Sequence, residues 1–195
     1  MEGQFKLIEL KGDLFTCPNN FSLGHCISSD FHLKKGIAKD FLAKFHSTYR
    51  DLKMVEFGIG EVAVFGDNKR FIYNLVTKGF YYQKPTYTTL GCSLNRMRDH
   101  MLANNVTHLA LPRLACGLDK LDWQIVKSML VECFQNDPFE IRVYTLTDEH
   151  YTQVLQFLFL SPIPTPSPHK CFDSNFIVQL KDYTCTNSDD SMCLE

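Results

Sequence analysis

Short apolar runs and longer amphipathic stretches alternate along the first three quarters of the chain. Six runs have the length and the β-rich or apolar composition of strands: residues 5–10, 22–28, 61–65, 70–77, 108–114 and 140–146. The loop GDNK separates the third run from the fourth, and its length and composition are typical of a hairpin. The fifth run, HLALPRL, is mostly apolar, as expected of a strand that is buried on both faces.

Three further stretches repeat apolar residues every three or four positions, which is the period of a helix with one buried face. They begin after Gly36, Thr86 and Asp122, and Asp122 is a predicted N-cap. The apolar positions are Ile37, Phe41, Leu42 and Phe45 in the first, Tyr87, Leu90, Leu94, Met97 and Met101 in the second, and Ile125, Val126, Met129, Leu130, Cys133 and Phe134 in the third. Strands that alternate with helices, together with one hairpin, predict an α/β fold with a mixed sheet covered by helices.

The composition changes after Leu146. The segment SPIPTPSPHK holds four prolines in ten residues, which predicts a linker or an extended segment. The final stretch, FIVQLKDYTCTNSDDSMCLE, begins with enough apolar residues for one strand, but its end is polar and small. We therefore expect one domain over residues 1–147 and a loosely packed C-terminal extension over residues 148–195.

Composition and charge narrow the class of protein. The 195 residues carry a formal net charge of -2. Hydrophobic residues make up 45% of the chain and charged residues 22%, and these fractions are usual for a globular protein. Lysine and arginine are spread along the chain, so a nucleic-acid partner is not favoured. No apolar run has the length of a bilayer span, and the N-terminus lacks the apolar region of a signal peptide. We expect a monomer of the nucleus and cytoplasm with no membrane partner.

The eight cysteines and seven histidines do not form a recognisable site. The cysteines are scattered, with no close pair, and neither CxxC nor the HxH or HExxH spacing of metal ligands occurs. Reduced thiols are the better interpretation, and we expect no structural or catalytic metal and no cofactor.

Two glycine loops indicate where a ligand would bind. In layered α/β sheets, ligands collect outside the carboxyl ends of the strands. Gly36 and Gly117 each lie between a predicted strand and a predicted helix, where close backbone N–H groups suit phosphate oxygens. A pyrophosphate ligand is one interpretation. The alternative is that each glycine only closes a turn between strand and helix.

Five side chains near these loops each have two interpretations. The amine of Lys78, which follows an apolar strand, is either desolvated and nucleophilic or simply exposed. Asp119 is either a general base or a turn residue. Cys116 has no activating histidine beside it, so packing is favoured over nucleophilic attack, and His25 similarly fits a core position. Trp123 either anchors its helix or stacks on a base.

Taken together, eight motifs resemble the macrodomain family, specifically its branch of ADP-ribose glycohydrolases and O-acyl-ADP-ribose deacylases that use a lysine and an aspartate. The motifs are KGDLF at 11–15, SLGHCIS at 22–28, GIA at 36–38, GEVAV at 60–64, LVTK at 75–78, KPTY at 84–87, LPRLACGLDKLDW at 111–123 and VYTL at 143–146. They occur in the family's order. The resemblance implies a three-layer α/β/α macrodomain with a mixed, mostly parallel sheet, plus the C-terminal extension.

The resemblance also implies a binding site for ADP-ribose. Asp13 matches the family's adenine-recognising aspartate. Lys78 matches the catalytic lysine, which attacks the anomeric carbon of the distal ribose and forms a lysyl-ADP-ribose intermediate, and Asp119 matches the aspartate that assists by proton transfer. Lys84 matches a second, noncatalytic lysine. The other implied ligand-binding residues are Leu14, Ser28, Gly36, Ile37, Arg113, Leu114, Ala115, Cys116, Gly117, Leu118 and Leu146.

The implied substrates are ADP-ribose esters of protein glutamate or aspartate and O-acetyl-ADP-ribose, so the expected partners are ADP-ribose, O-acyl-ADP-ribose and ADP-ribosylated proteins. Two departures from the family pattern bear on turnover. Lys34-Lys35-Gly36 stands where Gly-Ala-Gly is usual, and Ala115 stands where glycine is usual. The alternative function is therefore a reader module that binds ADP-ribose without cleaving it.

Overall fold

The computed structural model describes residues 4–66 and 70–146, together with the backbone of residues 177–179. The strands are β1 (Lys6–Lys11), β2 (Ser22–Ser28), β3 (Val62–Gly66), β4 (Phe71–Lys78), β5 (His108–Pro112), β6 (Glu140–Thr145) and β7 (Ile177–Gln179). The helices are α1 (Ile37–Lys44), α2 (His46–Leu52), α3 (Tyr87–Ala103) and α4 (Trp123–Phe134), with a 3-10 turn at Leu14–Thr16. All six predicted strands and all three predicted helices are confirmed.

The seven strands form one sheet in the order β1-β6-β5-β2-β4-β3-β7. The first five in this order are mutually parallel, whereas β3 runs antiparallel to β4 and β7 runs antiparallel to β3. The predicted mixed sheet and its hairpin are therefore confirmed. Strand β7 belongs to the C-terminal extension, most of which lies outside the described residues, so the boundary at residue 147 stays a prediction.

Helices cover both faces of the sheet. On one face α3 and α4 bury residues such as Leu94 and Val126, and on the other face α1 and α2 bury Phe41 and Tyr49. Trp123 is 8% exposed at the start of α4, where it anchors the helix to the core. The molecule is thus an α/β/α sandwich in its described part.

Two helical details differ from the prediction. Helix α2 was not predicted, because only Tyr49 and Leu52 of its seven residues are buried and two positions are too few to show a period. The inclusion of Ile125 in the apolar face of α4 is wrong, since this side chain is 47% exposed. The buried face instead follows Trp123, Val126, Leu130 and Phe134, which are spaced three, four and four residues apart.

The five parallel strands bring their carboxyl ends to one edge of the sheet. The terminal residues in sheet order are Lys11, Thr145, Pro112, Ser28 and Lys78. Four strand spacings separate the two outer members, which amounts to about 19 Å. The loops that follow these five residues, which carry most of the predicted site residues, therefore lie along one edge of the sheet, and we call the surface between these loops the cleft.

Candidate active site

A lysine and an aspartate meet where β4 ends. Lys78 is the last residue of β4, Asp119 lies in the loop after β5, and Nζ of the lysine donates to Oδ1 of the aspartate over 2.6 Å. The two side chains are only 12% and 15% exposed. The exposed-lysine interpretation is therefore wrong. A shielded ion pair adds little stability, because desolvation offsets its attraction. The catalytic roles of the two residues stay predictions.

The KPTY motif fixes the loop that carries Asp119. Nζ of Lys84 donates to the carbonyl oxygen of Leu118 over 2.6 Å, and the backbone N–H of Asp122 donates to the hydroxyl oxygen of Tyr87 over 3.1 Å. One contact precedes the aspartate and the other follows it. The two lysines therefore have different positions in the site, since Lys84 contacts the backbone while Lys78 contacts the carboxylate.

The loop over residues 113–119 has a specific backbone shape. Ala115 has a φ of 53°, in the left-handed region where glycine is favoured, and its carbonyl oxygen accepts from the backbone N–H of Leu121. The Sγ of Cys116 donates to the carbonyl oxygen of Leu114 over 3.0 Å. Burial raises the pKa of Cys116 to about 11, so the thiol stays protonated near neutral pH and the packing interpretation is supported.

The two glycine loops approach each other. Gly36 has a φ of 58° and directly precedes α1, and a Cβ placed on it would lie 3.6 Å from Cδ1 of Leu118. A Cβ placed on Gly117 would meet no atom within 4 Å. Lys34 and Lys35 are exposed beside this junction. The structure therefore brings the backbone of the Gly36 loop and of the 113–119 loop to one part of the cleft, as the resemblance implied.

Asp30 links the end of β2 to the loop after Lys78. Its carboxylate accepts hydrogen bonds from the Ser28 hydroxyl and from the backbone N–H groups of Tyr81 and His32. Burial would raise the pKa of Asp30, but these hydrogen bonds outweigh it and hold the pKa below its ordinary value. Sequence reasoning missed Asp30, because Tyr81, the partner that connects it to the loop after Lys78, lies 51 residues away.

The other end of the cleft lies at β1 and β6. The carboxylate of Asp13 accepts from the backbone N–H of Phe15 over 2.9 Å and caps the 3-10 turn. The N–H of Gly12 donates to the carbonyl oxygen of Thr145 over 2.9 Å, which brings the next residue, Leu146, beside the Gly12 turn. Asp13 and Leu146 therefore lie at the same end of the cleft, opposite Lys78, and their contacts with ADP-ribose stay predictions.

The side chain of Arg113 is held by a different cluster. Its Nη2 lies 3.2 Å from Oε2 of Glu9, and its guanidinium lies 5.3 Å from the ring centre of Trp123. Lys127 also contacts this carboxylate, over 2.7 Å, and its hydrogen bond is the largest cause of a lowered pKa at Glu9. A contact between the Arg113 guanidinium and ADP-ribose stays a prediction. The alternation in FKLIEL was the only sequence signal for Glu9.

His25 is a core residue and not part of the cleft. Its Nε2 lies 2.8 Å from both the Tyr49 hydroxyl and Oδ1 of Asn74, and its ring stacks on Phe41. Burial lowers the pKa of His25 to about 3, so the imidazole is neutral. The core interpretation is confirmed. Among residues 4–66 and 70–146, no group of three histidine, cysteine or acidic side chains has the arrangement of a metal site.

Known proteins resemble the chain closely in sequence. The chain is 45% identical over 141 residues to human ADP-ribose glycohydrolase OARD1, and 44% identical to the bovine protein of the same name. The aligned segment covers 72% of this chain and 92% of each relative. The chain belongs to the OARD1 family. No protein-family model matches the chain.

Solved structures share the fold of this OARD1 family member. The macrodomains of Thermus aquaticus DarG and Mycobacterium tuberculosis DarG superpose with TM-scores of 0.66 and 0.68, at 23% and 21% identity. Each covers 72% of this chain, and the matches span 99% and 98% of the two solved chains. Thermosipho africanus DarTG in complex with ADP-ribose gives a TM-score of 0.64 over 74% of this chain and 42% of its own, at 19% identity. The fold is therefore a macrodomain.

No helix in the described part of the chain is long and apolar enough to cross a membrane.

Proposed function

We propose that this OARD1 family member is an ADP-ribose hydrolase that releases ADP-ribose from esters of protein glutamate and aspartate and deacylates O-acetyl-ADP-ribose. The observation that carries the proposal is the shielded contact of 2.6 Å between Lys78 and Asp119 at the end of a macrodomain cleft. Two relatives named ADP-ribose glycohydrolase, at 45% and 44% identity, support it.

The geometry favours one direction for the bound ligand. In the proposed binding mode the adenine lies at Asp13, after β1, and the distal ribose lies at Lys78, where β4 ends. The carboxyl ends of these two strands are about 19 Å apart. The pyrophosphate would lie between them, against the backbone of the Gly36 loop and the 113–119 loop. Ser28 pairs with Lys78 in the sheet and therefore lies at the ribose end.

The chemistry needs a nucleophile and a proton acceptor. The amine of Lys78 attacks the anomeric carbon of the distal ribose, and the bond from that carbon to the ester oxygen breaks as the carboxylate leaves with the electron pair. The leaving carboxylate is the protein side chain, or acetate where the acetyl group of O-acetyl-ADP-ribose is on the anomeric oxygen. Asp119 accepts the proton that Nζ loses. Water then displaces Nζ from the same carbon, which yields free ADP-ribose and restores the amine. A carboxylate is a good leaving group, so the site needs no separate acid to protonate it.

This chemistry makes a testable distinction between leaving groups. Release of ADP-ribose would be measured from a glutamate-linked peptide, from a serine-linked peptide of the same sequence, and from O-acetyl-ADP-ribose. We expect hydrolysis of the two esters and no hydrolysis of the serine linkage, because an alkoxide leaves poorly without an acid. Tight binding of ADP-ribose without hydrolysis of either ester would establish the reader alternative instead.

A further inference from the structure

An open groove of about 930 Å³ continues the cleft beyond Lys78. Its walls include Asp30 and Gly79, which lie two residues after Ser28 and one residue after Lys78. The groove therefore begins directly at the two strand ends that surround the proposed ribose position. None of its lining residues contributes to the Asp13 end of the cleft.

The sheet order determines what this groove faces. ADP-ribose placed from Asp13 to Lys78 crosses the five parallel strands and ends at β4. The next strand outward is β3, and Glu61, the residue before β3, lines the groove together with Gly58. Whatever group is bonded to the distal ribose must leave the cleft on this side. The groove therefore lies where the group that carries the ADP-ribose would be.

The lining combines apolar surface with an excess of negative charge. Val55 and Phe80 supply apolar surface, Phe31 and Phe57 are core residues at its base, and the charged members are Asp30, Lys53, Glu56 and Glu61. Three carboxylates against one ammonium leave a net charge of about -2 in the groove at neutral pH. Such a surface repels the phosphates of a nucleic acid and attracts lysine or arginine side chains.

Exposed aromatic rings extend the groove at its mouth. Phe80 and Tyr82 are 51% and 67% exposed, and their rings stack with centres 5.6 Å apart. Tyr81 is 47% exposed and stacks on His32 at 4.0 Å. Adjacent exposed rings of this kind are typical of a surface that contacts a partner. The rings alone would suit a base as well as a peptide, and the carboxylates beside them favour the peptide.

We propose that this groove binds the polypeptide segment of the ADP-ribosylated protein and selects segments with a lysine or arginine and an apolar residue next to the modified acidic residue. This substrate preference rests on the proposed function, because Lys78 defines where the ribose ends and the polypeptide begins.

The test uses two synthetic peptides with one glutamate-linked ADP-ribose each. One has arginine and leucine beside the modified residue, and the other has glutamate and serine. Each kcat/KM is divided by the same protein's kcat/KM for O-acetyl-ADP-ribose, which has no polypeptide. Glu56→Lys reverses a charge in the groove, and Glu132→Lys makes the same change at an exposed position of α4 as the matched control.

We expect wild type to prefer the basic peptide by about fivefold, the scale of one exposed charge pair. Glu56→Lys should abolish or invert this preference, and Glu132→Lys should keep it. Calorimetry with Lys78→Ala should show the same order of affinities for the two peptides without any turnover.

Three results would overturn the groove assignment. If wild type and Glu56→Lys each hydrolyse the two peptides with equal kcat/KM values, the groove does not select the polypeptide. The proposed ester hydrolysis would be unaffected by this result. Stronger inhibition by a short single-stranded oligonucleotide than by the unmodified basic peptide would place nucleic acid there. Absence of release from every substrate, O-acetyl-ADP-ribose included, would remove the hydrolase and the peptide groove with it.

Discussion

Replacing Gly117 with alanine distinguishes the two interpretations of the glycine loops. Gly117 is exposed, its φ is not in the left-handed region, and an added Cβ would meet no atom within 4 Å. The fold itself therefore does not require glycine here. Alanine restricts the unfolded chain more than glycine does, so the free energy of unfolding should stay the same or rise by about 0.4–1 kcal/mol.

Ligand binding should respond in the opposite direction. If the backbone N–H groups of the 113–119 loop donate to the pyrophosphate, the new methyl group stands in the path of the phosphate oxygens. Loss of one hydrogen bond to a charged group costs about 1.5–3 kcal/mol. The Kd for ADP-ribose should therefore rise by roughly tenfold to a hundredfold.

Calorimetry with ADP-ribose and thermal unfolding of the free protein measure the two effects separately. Gly91→Ala on α3 is the matched control, because its Cβ would make an ordinary contact of 3.4 Å with Met129 and lies outside the cleft. This control should raise the Tm and leave the Kd unchanged. A wild-type Kd for ADP-ribose in Gly117→Ala would refute the phosphate role and leave only the turn-closing interpretation. A clear drop in the Tm of this variant would show that a Cβ at position 117 does not fit without strain.

Three further predictions follow from individual contacts. Lys84→Met should lower kcat by roughly threefold to tenfold, because the hydrogen bond from Lys84 to the Leu118 carbonyl positions Asp119. The Kd for ADP-ribose should stay the same. An unchanged kcat in steady-state kinetics would contradict this role. Gly24→Ala should lower the free energy of unfolding, measured by urea denaturation, by about 1–3 kcal/mol, because its Cβ would lie 2.7 Å from Cδ2 of Leu111. An unchanged free energy of unfolding would show that the core rearranges to accept the methyl group. His25 has a pKa of about 3 when folded and about 6.5 when unfolded, so the unfolded state binds the proton first and the free energy of unfolding should fall as the pH drops from about 6.5 towards 3. A flat profile in pH-dependent unfolding, or the same profile in His25→Gln, would contradict that contribution.

The fold could be predicted because its signals are local. Strand and helix periods depend on residues a few positions apart, and the capping oxygen of Asp122, which accepts from the N–H groups of Gln124 and Ile125, was visible from the residue type alone. Helix α2 has too few buried residues for such a period. Ile125 was misplaced for a related reason, since apolar composition does not show which side of a helix meets the sheet.

The site depended on contacts between distant parts of the chain. Lys78 and Asp119 are 41 residues apart, and spacing alone left both of their interpretations open, so only the order of motifs linked them. The hydrogen bond from Lys84 to the Leu118 carbonyl joins residues 34 positions apart, and the contact of Arg113 with Glu9 joins residues 104 positions apart. The spacing of apolar residues along the sequence does not indicate contacts over such separations. The topology of the sheet creates them by bringing five strand ends to one edge.

The central claim is that Lys78 and Asp119 together cleave the bond between ADP-ribose and an acidic side chain. Its most direct test is single-turnover release of ADP-ribose from a glutamate-linked protein by wild type, Lys78→Ala and Asp119→Ala, at concentrations where calorimetry shows all three saturated. We predict rapid release by wild type and a loss on the order of a thousandfold in each variant, with the Kd for ADP-ribose largely kept. Release by Lys78→Ala at the wild-type rate would contradict the lysine mechanism.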